Sequence, residues 1–397
     1  MRSADPSDQA ALACVARARA LAPVVAAAAP RTESERQIPE DVVAALHEAG
    51  LFRMLLPRSL GGEELPPHFY VQAIEEIAKA DASTAWCIAQ TSVCSTAAAS
   101  LAPAAAAEIF GGPRGVLAWG PPGRGKAVAV PGGYRLTGRW QFASGSRHAT
   151  WLGAHCPMIE VDGKPQLDSE GQPVGRTLMF PRSAAQITDV WQVMGLRGTG
   201  SDTYEVADLF VPEEYSMAMF GRSASEKREV GPLYLLTVFH LYGASFAAVS
   251  LGIARATLDA FVALAQSKTP TGGRNLLRDS AVVQSQVGLA ESQLTSARVF
   301  LLHALRQIWD DAVRTGALSI DRRLQLRMAS THASHQAKQV VDAAYHAAGA
   351  SAIFESNPFE RRFRDINTVS QQAQSQAQVF EAVGQYYLGL PLHPRLI

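Results

Sequence analysis

Charge is scarce in this sequence. Only 18% of the 397 residues are Asp, Glu, Lys or Arg, and the 36 acidic residues cancel the 36 basic ones. A nucleic-acid binder needs a basic face or stripe, which this balance does not supply. Cysteine is scarce as well: Cys14, Cys87, Cys94 and Cys156 are scattered and form no CxxC pair. That excludes a disulfide framework and a cysteine zinc site, and it makes a reducing cytoplasm the expected location. No Walker loop occurs, and no GxGxxG opens a helix after a strand. The N-terminus has no ordered basic, apolar and cleavage regions. Its apolar run Ala20–Ala29 is short, broken by Pro23 and preceded by Arg17 and Arg19. The most apolar stretch, Leu233–Ala265, is interrupted by His240, Arg255 and Asp259, and reads as a buried core helix instead of a membrane span. Neither a membrane nor a nucleic acid is expected as a partner.

What the chain does have is aliphatic mass. Hydrophobic residues make up 47% of it and alanine alone contributes 66 residues, enough for a large core in two or three domains. The alanines are uneven: residues 119–222 hold 9 of the 66 alanines but 15 of the 31 glycines. Alanine favours helix and glycine punctuates turns, so helical flanks are expected around a non-helical middle. Within that middle, Ala127–Val130, Tyr134–Thr137, Arg176–Phe180 and Tyr204–Phe210 have strand texture, bounded by Pro-Gly-Gly, Asp-Gly and Glu-Gly turns. Its size suits a small barrel or sandwich. Phe220–Pro232 reads as a charged connector or lid. In the C-terminal third, Val287, Ala290, Leu294, Ala297, Leu301, Ala304 and Ile308 alternate steps of three and four, and Ala329, Ala333, Val340, Ala344 and Ala347 partly repeat the pattern. Such small-residue seams predict a helical bundle. The N-terminal third opens with a helix through Ala29, and Pro39 starts another that ends near Gly50.

Local chemistry is sparse. Gly120-Pro-Pro-Gly-Arg-Gly125 reads as a turn before it reads as a phosphate cradle. His332 and His335 lie three apart on a helix but lack an accompanying HExxH or Glu-x-x-His, so no metal site is expected. Two clusters join strand texture to Gly, Ser and Thr: Gly133–Trp151 and Met194–Asp202. Each is either a pair of hairpin turns or a place where backbone and hydroxyls approach a flat polar ring. Trp140, Trp151 and Trp191 are either core or a substrate wall. Arg197 either touches a cofactor or braces its strand, and Arg361, Arg362, Arg364 and Asp365 are expected in ion pairs.

The same clusters carry a resemblance that covers nearly the whole chain. Ser83-Thr-Ala-Trp86, Gly133-Tyr-Arg-Leu-Thr-Gly138, Trp140-Gln-Phe-Ala-Ser-Gly145, His148-Ala-Thr-Trp151 and Gly195-Leu-Arg-Gly-Thr-Gly-Ser201 occur in that order. Phe210-Val-Pro-Glu213, Leu251-Gly-Ile-Ala-Arg255 and Glu360-Arg-Arg-Phe-Arg-Asp365 follow. Together they resemble the acyl-CoA dehydrogenase fold, and within it the flavin-dependent monooxygenases that work with a separate reductase. The resemblance implies an α+β architecture: an N-terminal α-helical domain (1–118), a middle β-barrel domain (119–222) and a C-terminal four-helix bundle (223–397). A dehydrogenase of this fold needs a carboxylate base. The family's usual position for it corresponds to Ala373, and no Asp or Glu occurs in 366–378 or in 231–258.

For an oxygenase, the resemblance implies reduced FMN or FAD supplied by a separate NAD(P)H:flavin reductase, with a C4a-(hydro)peroxide delivering oxygen. It implies that Trp86, Trp119, Gly120, Ser144, Gly145 and Ser146 contact the flavin. Arg274 (or Arg278) of a neighbouring subunit would meet its phosphate, and Gly349, Gln371 and Gln372 would close the site. Ser144, His148 and Gln372 are the expected catalytic residues, within a homotetramer. Relatives that hydroxylate phenols carry histidines after the Trp86 equivalent and after the Arg-Asp pair. Here Cys87–Ser95 and Ile366–Gln378 contain none. The expected substrate is therefore a small aromatic, heteroaromatic (indole-like) or N/S-nucleophile compound. The alternatives are a phenol hydroxylase, a dehydrogenase or oxidase with an unrecognised base, and a non-catalytic scaffold.

Overall fold

Where alanine is dense the chain is helical. The computed structural model describes residues 6–219 and 226–391. Helices α1 (Pro6–Glu35), α2 (Glu40–Glu48), α3 (Pro67–Ala80), α4 (Ala82–Ser95) and α5 (Pro103–Phe110) precede the first strand. Helices α6 (Val238–Ser267), α7 (Ala281–Thr315), α8 (Ile320–Ala348), α9 (Phe359–Val369) and α10 (Gln378–Tyr387) follow the last. The first helix continues past Ala29 to Glu35 despite Pro23 and Pro30. Pro39 caps α2, as its fixed φ allows.

The α7 seam is buried from Ala290 through Leu294, Ala297, Leu301 and Ala304 to Ile308. It meets α8, whose own buried row includes Ala329, Ala333, Ala337, Val340 and Ala344. Small side chains on both rows let the helix axes approach closely. Helix α6 lies against α8 and α3. It is long and apolar enough to cross a membrane, but most of that window is buried in the protein, as expected for a core helix.

The middle segment forms two sheets instead of one closed barrel. The first has the order β1 (Leu117–Trp119), β4 (Trp151–Cys156), β7 (Arg176–Pro181), β10 (Ser216–Ala218). The second has the order β6 (Lys164–Pro165), β5 (Ile159–Val161), β2 (Arg124–Val130), β3 (Gly133–Ala143), β9 (Asp202–Pro212), β8 (Gln186–Thr188). Two buried hydrogen bonds tie the sheets together. Trp140 Nε1 donates to His155 O at 3.1 Å, and the Tyr204 hydroxyl donates to Gly153 O. Trp140 is therefore core, and Trp151 stacks on Tyr215 at 5.4 Å away from any ligand wall. The first six residues of the expected lid, 220–225, lie outside the described residues. The rest is pinned to the N-terminal helices: Arg228 N donates to Ala99 O at 2.7 Å, and Ser59 Oγ to Glu229 at 2.5 Å.

Candidate active site

A cavity of about 420 Å³ opens where the helical flanks meet the end of the β segment. Its floor is set by spacing on two helices. Helix α4 starts at Asp81, whose carboxylate accepts from Thr84 N at 2.7 Å, a side-chain cap that fixes its first turn. Trp86 and Gln90 then fall four apart on one face of α4, and Tyr242 and Phe246 four apart on α6. The Trp86 and Phe246 rings stack at 3.7 Å with 4° between planes, and Phe246 stacks on Tyr242 at 5.4 Å. A continuous aromatic row results, with polar groups at both ends.

One end is a relay of hydroxyls delivered by a bulge. Strand β3 pairs Trp140 with Tyr204 and then Ala143 with Asp202, so β3 carries one extra residue. Phe142 takes the strain with φ +57° and projects into the cavity, and Ser144 turns toward the 196–201 loop. Trp86 Nε1 donates to Ser144 Oγ at 3.0 Å, and Ser144 and Ser201 hydroxyls lie 2.6 Å apart. Ser201 and Thr199 lie 2.7 Å apart, and Thr199 donates to Leu196 O at 2.9 Å. Each hydroxyl has one hydrogen. Since Thr199 spends its own on Leu196, the relay has one polarity: Trp86 to Ser144, to Ser201, to Thr199, to the Leu196 carbonyl. What Ser144 offers the cavity is thus a lone pair.

The 195–201 loop holds this geometry through close approach. A Cβ at Gly195 would sit 2.2 Å from Arg364 O, and one at Gly198 would sit 2.2 Å from the Thr32 methyl. These glycines let the loop press against α9 and α1 while Leu196, Thr199 and Ser201 face the cavity. The Asp365 carboxylate accepts from Leu196 N at 2.7 Å and locks the loop to α9. Burial pushes its pKa up to about 7, against the pull of that N–H. Arg364 pairs with Glu360 and Glu33, and Arg197 lies 3.8 Å from Glu33, so both brace α1.

The other end gathers around Tyr242. Its hydroxyl accepts from Trp119 Nε1 at 2.9 Å and from Gln90 Nε2 at 3.1 Å. Gln90 Nε2 also donates to Trp119 O at 3.0 Å, and Cys94 Sγ lies 3.5 Å from the Tyr242 hydroxyl. Burial raises the Tyr242 pKa well above that of a free phenol, so the group stays protonated. His155 meets the Trp119 ring edge-on at 4.9 Å and hydrogen-bonds Thr177 Oγ1 through Nδ1 at 2.8 Å. Burial lowers its pKa to about 3, leaving it neutral.

Of the residues singled out in the sequence, Trp86, Trp119, Gly120, Ser144, Gln371 and Gln372 share this cavity, and Trp191 joins them as a wall. The Gly120–Pro122 turn lines it too. Gln372 is committed locally: its Nε2 donates to Ser375 Oγ and its Oε1 accepts from Gln374 N. Ala373, where a dehydrogenase base would stand, lines the cavity, and no carboxylate does so among the described residues.

Five expected residues do not line it. Gly145 and Ser146 lie in the turn behind Ser144, Gly145 donating its N–H to Thr199 O at 3.2 Å. Gly349 ends α8 with φ +61°, and Arg274 is exposed on the α6–α7 loop. His148 is not among the lining residues, and its ring lies 5.2 Å from that of Phe52. Burial, with help from the nearby His47 and Arg182, takes its pKa down to about 3. Gln90, Tyr242, Phe246, His155, Thr199 and Ser201 gained no individual role from the sequence, although polar Tyr242 inside an apolar helix was a usable signal.

This arrangement sits in a chain with many relatives. Residues 6–106 match the acyl-CoA dehydrogenase N-terminal domain and residues 244–377 the acyl-CoA dehydrogenase C-terminal domain. An indole-3-acetate monooxygenase of Pseudomonas putida is 30% identical over 360 residues, 90% of this chain and 89% of that protein. The oxygenase component of an FADH2-dependent resorcinol hydroxylase from a Rhizobium species is 30% identical, over 95% of this chain and 94% of the other. The solved structure of XiaF from a Streptomyces species, in complex with FADH2 and glycerol, superposes with TM-score 0.86 at 26% identity, covering 97% of each chain. The chain belongs to the flavin-dependent monooxygenases of the acyl-CoA dehydrogenase fold.

The residues present fit a flavin ring. A flat tricycle needs apolar faces and a polar edge, and the cavity offers aromatic walls with the Ser144 relay along one side. The lone pair on Ser144 matches the N5–H that only the reduced ring carries.

Proposed function

We propose that this monooxygenase takes reduced FMN or FAD from a separate NAD(P)H:flavin reductase and oxygenates a small aromatic or heteroaromatic compound. When bound, reduced flavin supplies the electrons that activate dioxygen and transfer one oxygen atom to a nucleophilic carbon, nitrogen or sulfur. The chain's residues do the rest. Ser144, its proton committed to Ser201, accepts from the reduced ring edge. Trp86, Phe246, Trp119 and Phe142 keep water from the reacting face. Gly120, Gln371 and Gln372 bound the cavity on the turn and α9 sides, and Gly145 and Ser146 support Ser144 from behind. Exposed Arg274 fits a role at the flavin phosphate of a neighbouring subunit in a homotetramer. A cytoplasmic location agrees with four buried free cysteines.

The observation that carries this reading is a cavity with aromatic walls and hydrogen-bonding ends but no carboxylate among its described lining residues. Alpha-proton abstraction has no agent there, whereas oxygen transfer to an electron-rich ring needs none. Among the described residues the only histidine lining the cavity is the fully buried His155, and that favours indole-like, amine or sulfur substrates over phenols. Oxygen uptake tests it: reduced flavin plus substrate should give oxygenated product, and the oxidised flavoprotein mixed with substrate without oxygen should remain oxidised.

A further inference from the structure

The cavity lacks formal charge of either sign among the described residues. Its lining side chains are aromatic, aliphatic, hydroxyl or amide, together with one imidazole and one phenol. Burial keeps that imidazole, His155, unprotonated, and keeps the Tyr242 phenol protonated. The cations nearest the Trp191 wall are spent. Arg36, which donates to Trp191 O at 3.4 Å, is paired with Asp189, and Arg147 with Asp202 at 2.7 Å. Behind the Leu196 wall the buried Asp365 and Asp81 carboxyls share the field of Arg361, and burial raises the pKa of both, so they add no free cation to the cavity. An anion entering here would lose its hydration and meet no cation among the described lining residues.

The Tyr242 end shows what the cavity offers in place of charge. Its oxygen already accepts from Trp119 and Gln90, so among the described residues its hydrogen has only the soft Cys94 sulfur within reach at 3.5 Å. Gln90 spends both amide hydrogens on Trp119 O and Tyr242, and its Oε1 takes part in neither bond. A hydroxyl donor and an amide acceptor therefore stand side by side across the aromatic row from Ser144.

We infer that the substrate of this oxygenase is electrically neutral: an arene or heteroarene with no carboxylate, phosphate or ammonium on the part that enters, anchored at its polar end by Tyr242 and Gln90. This inference rests on the oxygenase reading above and narrows it. It also separates this chain from its Pseudomonas putida relative, which is named for an acid.

The test compares matched pairs that differ in charge but hardly in shape. Indole-3-acetamide and indole-3-acetate form one pair, and 4-hydroxyphenylacetamide and 4-hydroxyphenylacetate the other. Calorimetry on the full chain loaded with reduced flavin, without oxygen, gives each Kd at neutral pH. In a pair that binds, the amide is expected to bind at least ~100-fold tighter than its acid, because burying an unpaired carboxylate costs several kcal/mol. The acid's affinity should rise ~10-fold per unit fall in pH, as its neutral fraction grows. An acid binding within ~3-fold of its amide overturns the inference, and so does failure of all four to bind while flavin binds. Tyr242→Phe should weaken the amide ~10-fold, well beyond any change in flavin affinity, and an amide Kd that moves no more than the flavin Kd overturns the anchoring role. Oxygen uptake by the flavin-loaded enzyme with the bound amide is read separately. An enzyme that prefers amides but forms no oxygenated product contradicts the oxygenase reading and leaves the charge preference standing.

Discussion

Removing the Ser144 hydroxyl should cost reduced flavin more than oxidised flavin. In the folded protein Ser144 accepts from Trp86 Nε1 at 3.0 Å and passes its hydrogen to Ser201 at 2.6 Å. Only a lone pair remains for the cofactor. Reduced flavin carries N5–H, a donor, while oxidised flavin presents a bare acceptor at the same atom. Ser144→Ala removes one hydrogen bond to the reduced ring, worth about 1.4 kcal/mol or roughly tenfold in Kd. The oxidised ring gains nothing from that lone pair, so its Kd should move by less than about threefold. Leaving Trp86 Nε1 without an acceptor should also destabilise the fold by about 1–2 kcal/mol. Anaerobic titration with reduced flavin and aerobic titration with oxidised flavin measure the two constants. The ratio of hydrogen peroxide to product reports the consequence, since a loosely held ring lets oxygen chemistry run without substrate. Ser201→Ala is the complement: it frees the Ser144 hydrogen and should improve oxidised-flavin binding relative to reduced. Equal weakening of both redox states in Ser144→Ala would refute the polarity assigned to the relay, and so would no change in either.

Other outcomes follow from the same geometry. Gly195→Ala puts a Cβ 2.2 Å from the Arg364 backbone oxygen and should destabilise the protein by about 2–3 kcal/mol in chemical denaturation while loosening flavin binding. Asp365 has a folded-state pKa of about 7, raised by burial above about 3.9 in the unfolded chain. Between these values the native state holds the extra proton. Its contribution to stability is therefore full below the unfolded pKa and is lost as pH rises through the folded one. Asp365→Asn should flatten that fall, and the Tm advantage of the variant over wild type should grow from acid to neutral pH. Arg274→Ala, at an exposed loop position, should weaken flavin roughly tenfold without moving the Tm if its guanidinium meets the phosphate.

The sequence was legible wherever one local rule governs. Alanine density marked the helices, and six of the seven α7 seam residues, Ala290 to Ile308, are buried, because one face of one helix decides it. The four strand runs fell inside β2, β3, β7 and β9. Closure of the middle segment was not legible, because it depends on cross-links such as Trp140 to His155 O that join residues far apart in the chain. In the site, residues inside glycine-bearing motifs stood out, and Trp86, Trp119 and Ser144 do converge. Of the Met194–Asp202 glycines, Gly195 and Gly198 serve packing against α9 and α1, a purpose no spacing reveals. His148 drew attention by its motif, but Ser144 lines the cavity and His148 does not. Tyr242 and Gln90 were missed because their partnership crosses from α6 to α4, and neither sits in a polar motif.

The most direct test of the oxygenase account mixes the flavin-loaded enzyme with substrate under two conditions. With oxidised flavin and no oxygen, the visible flavin spectrum should not bleach, because no carboxylate among the described cavity residues is there to start a dehydrogenation. With reduced flavin and heavy-isotope dioxygen, the product should carry one labelled oxygen atom. Anaerobic bleaching by substrate, or a product without the label, would contradict it.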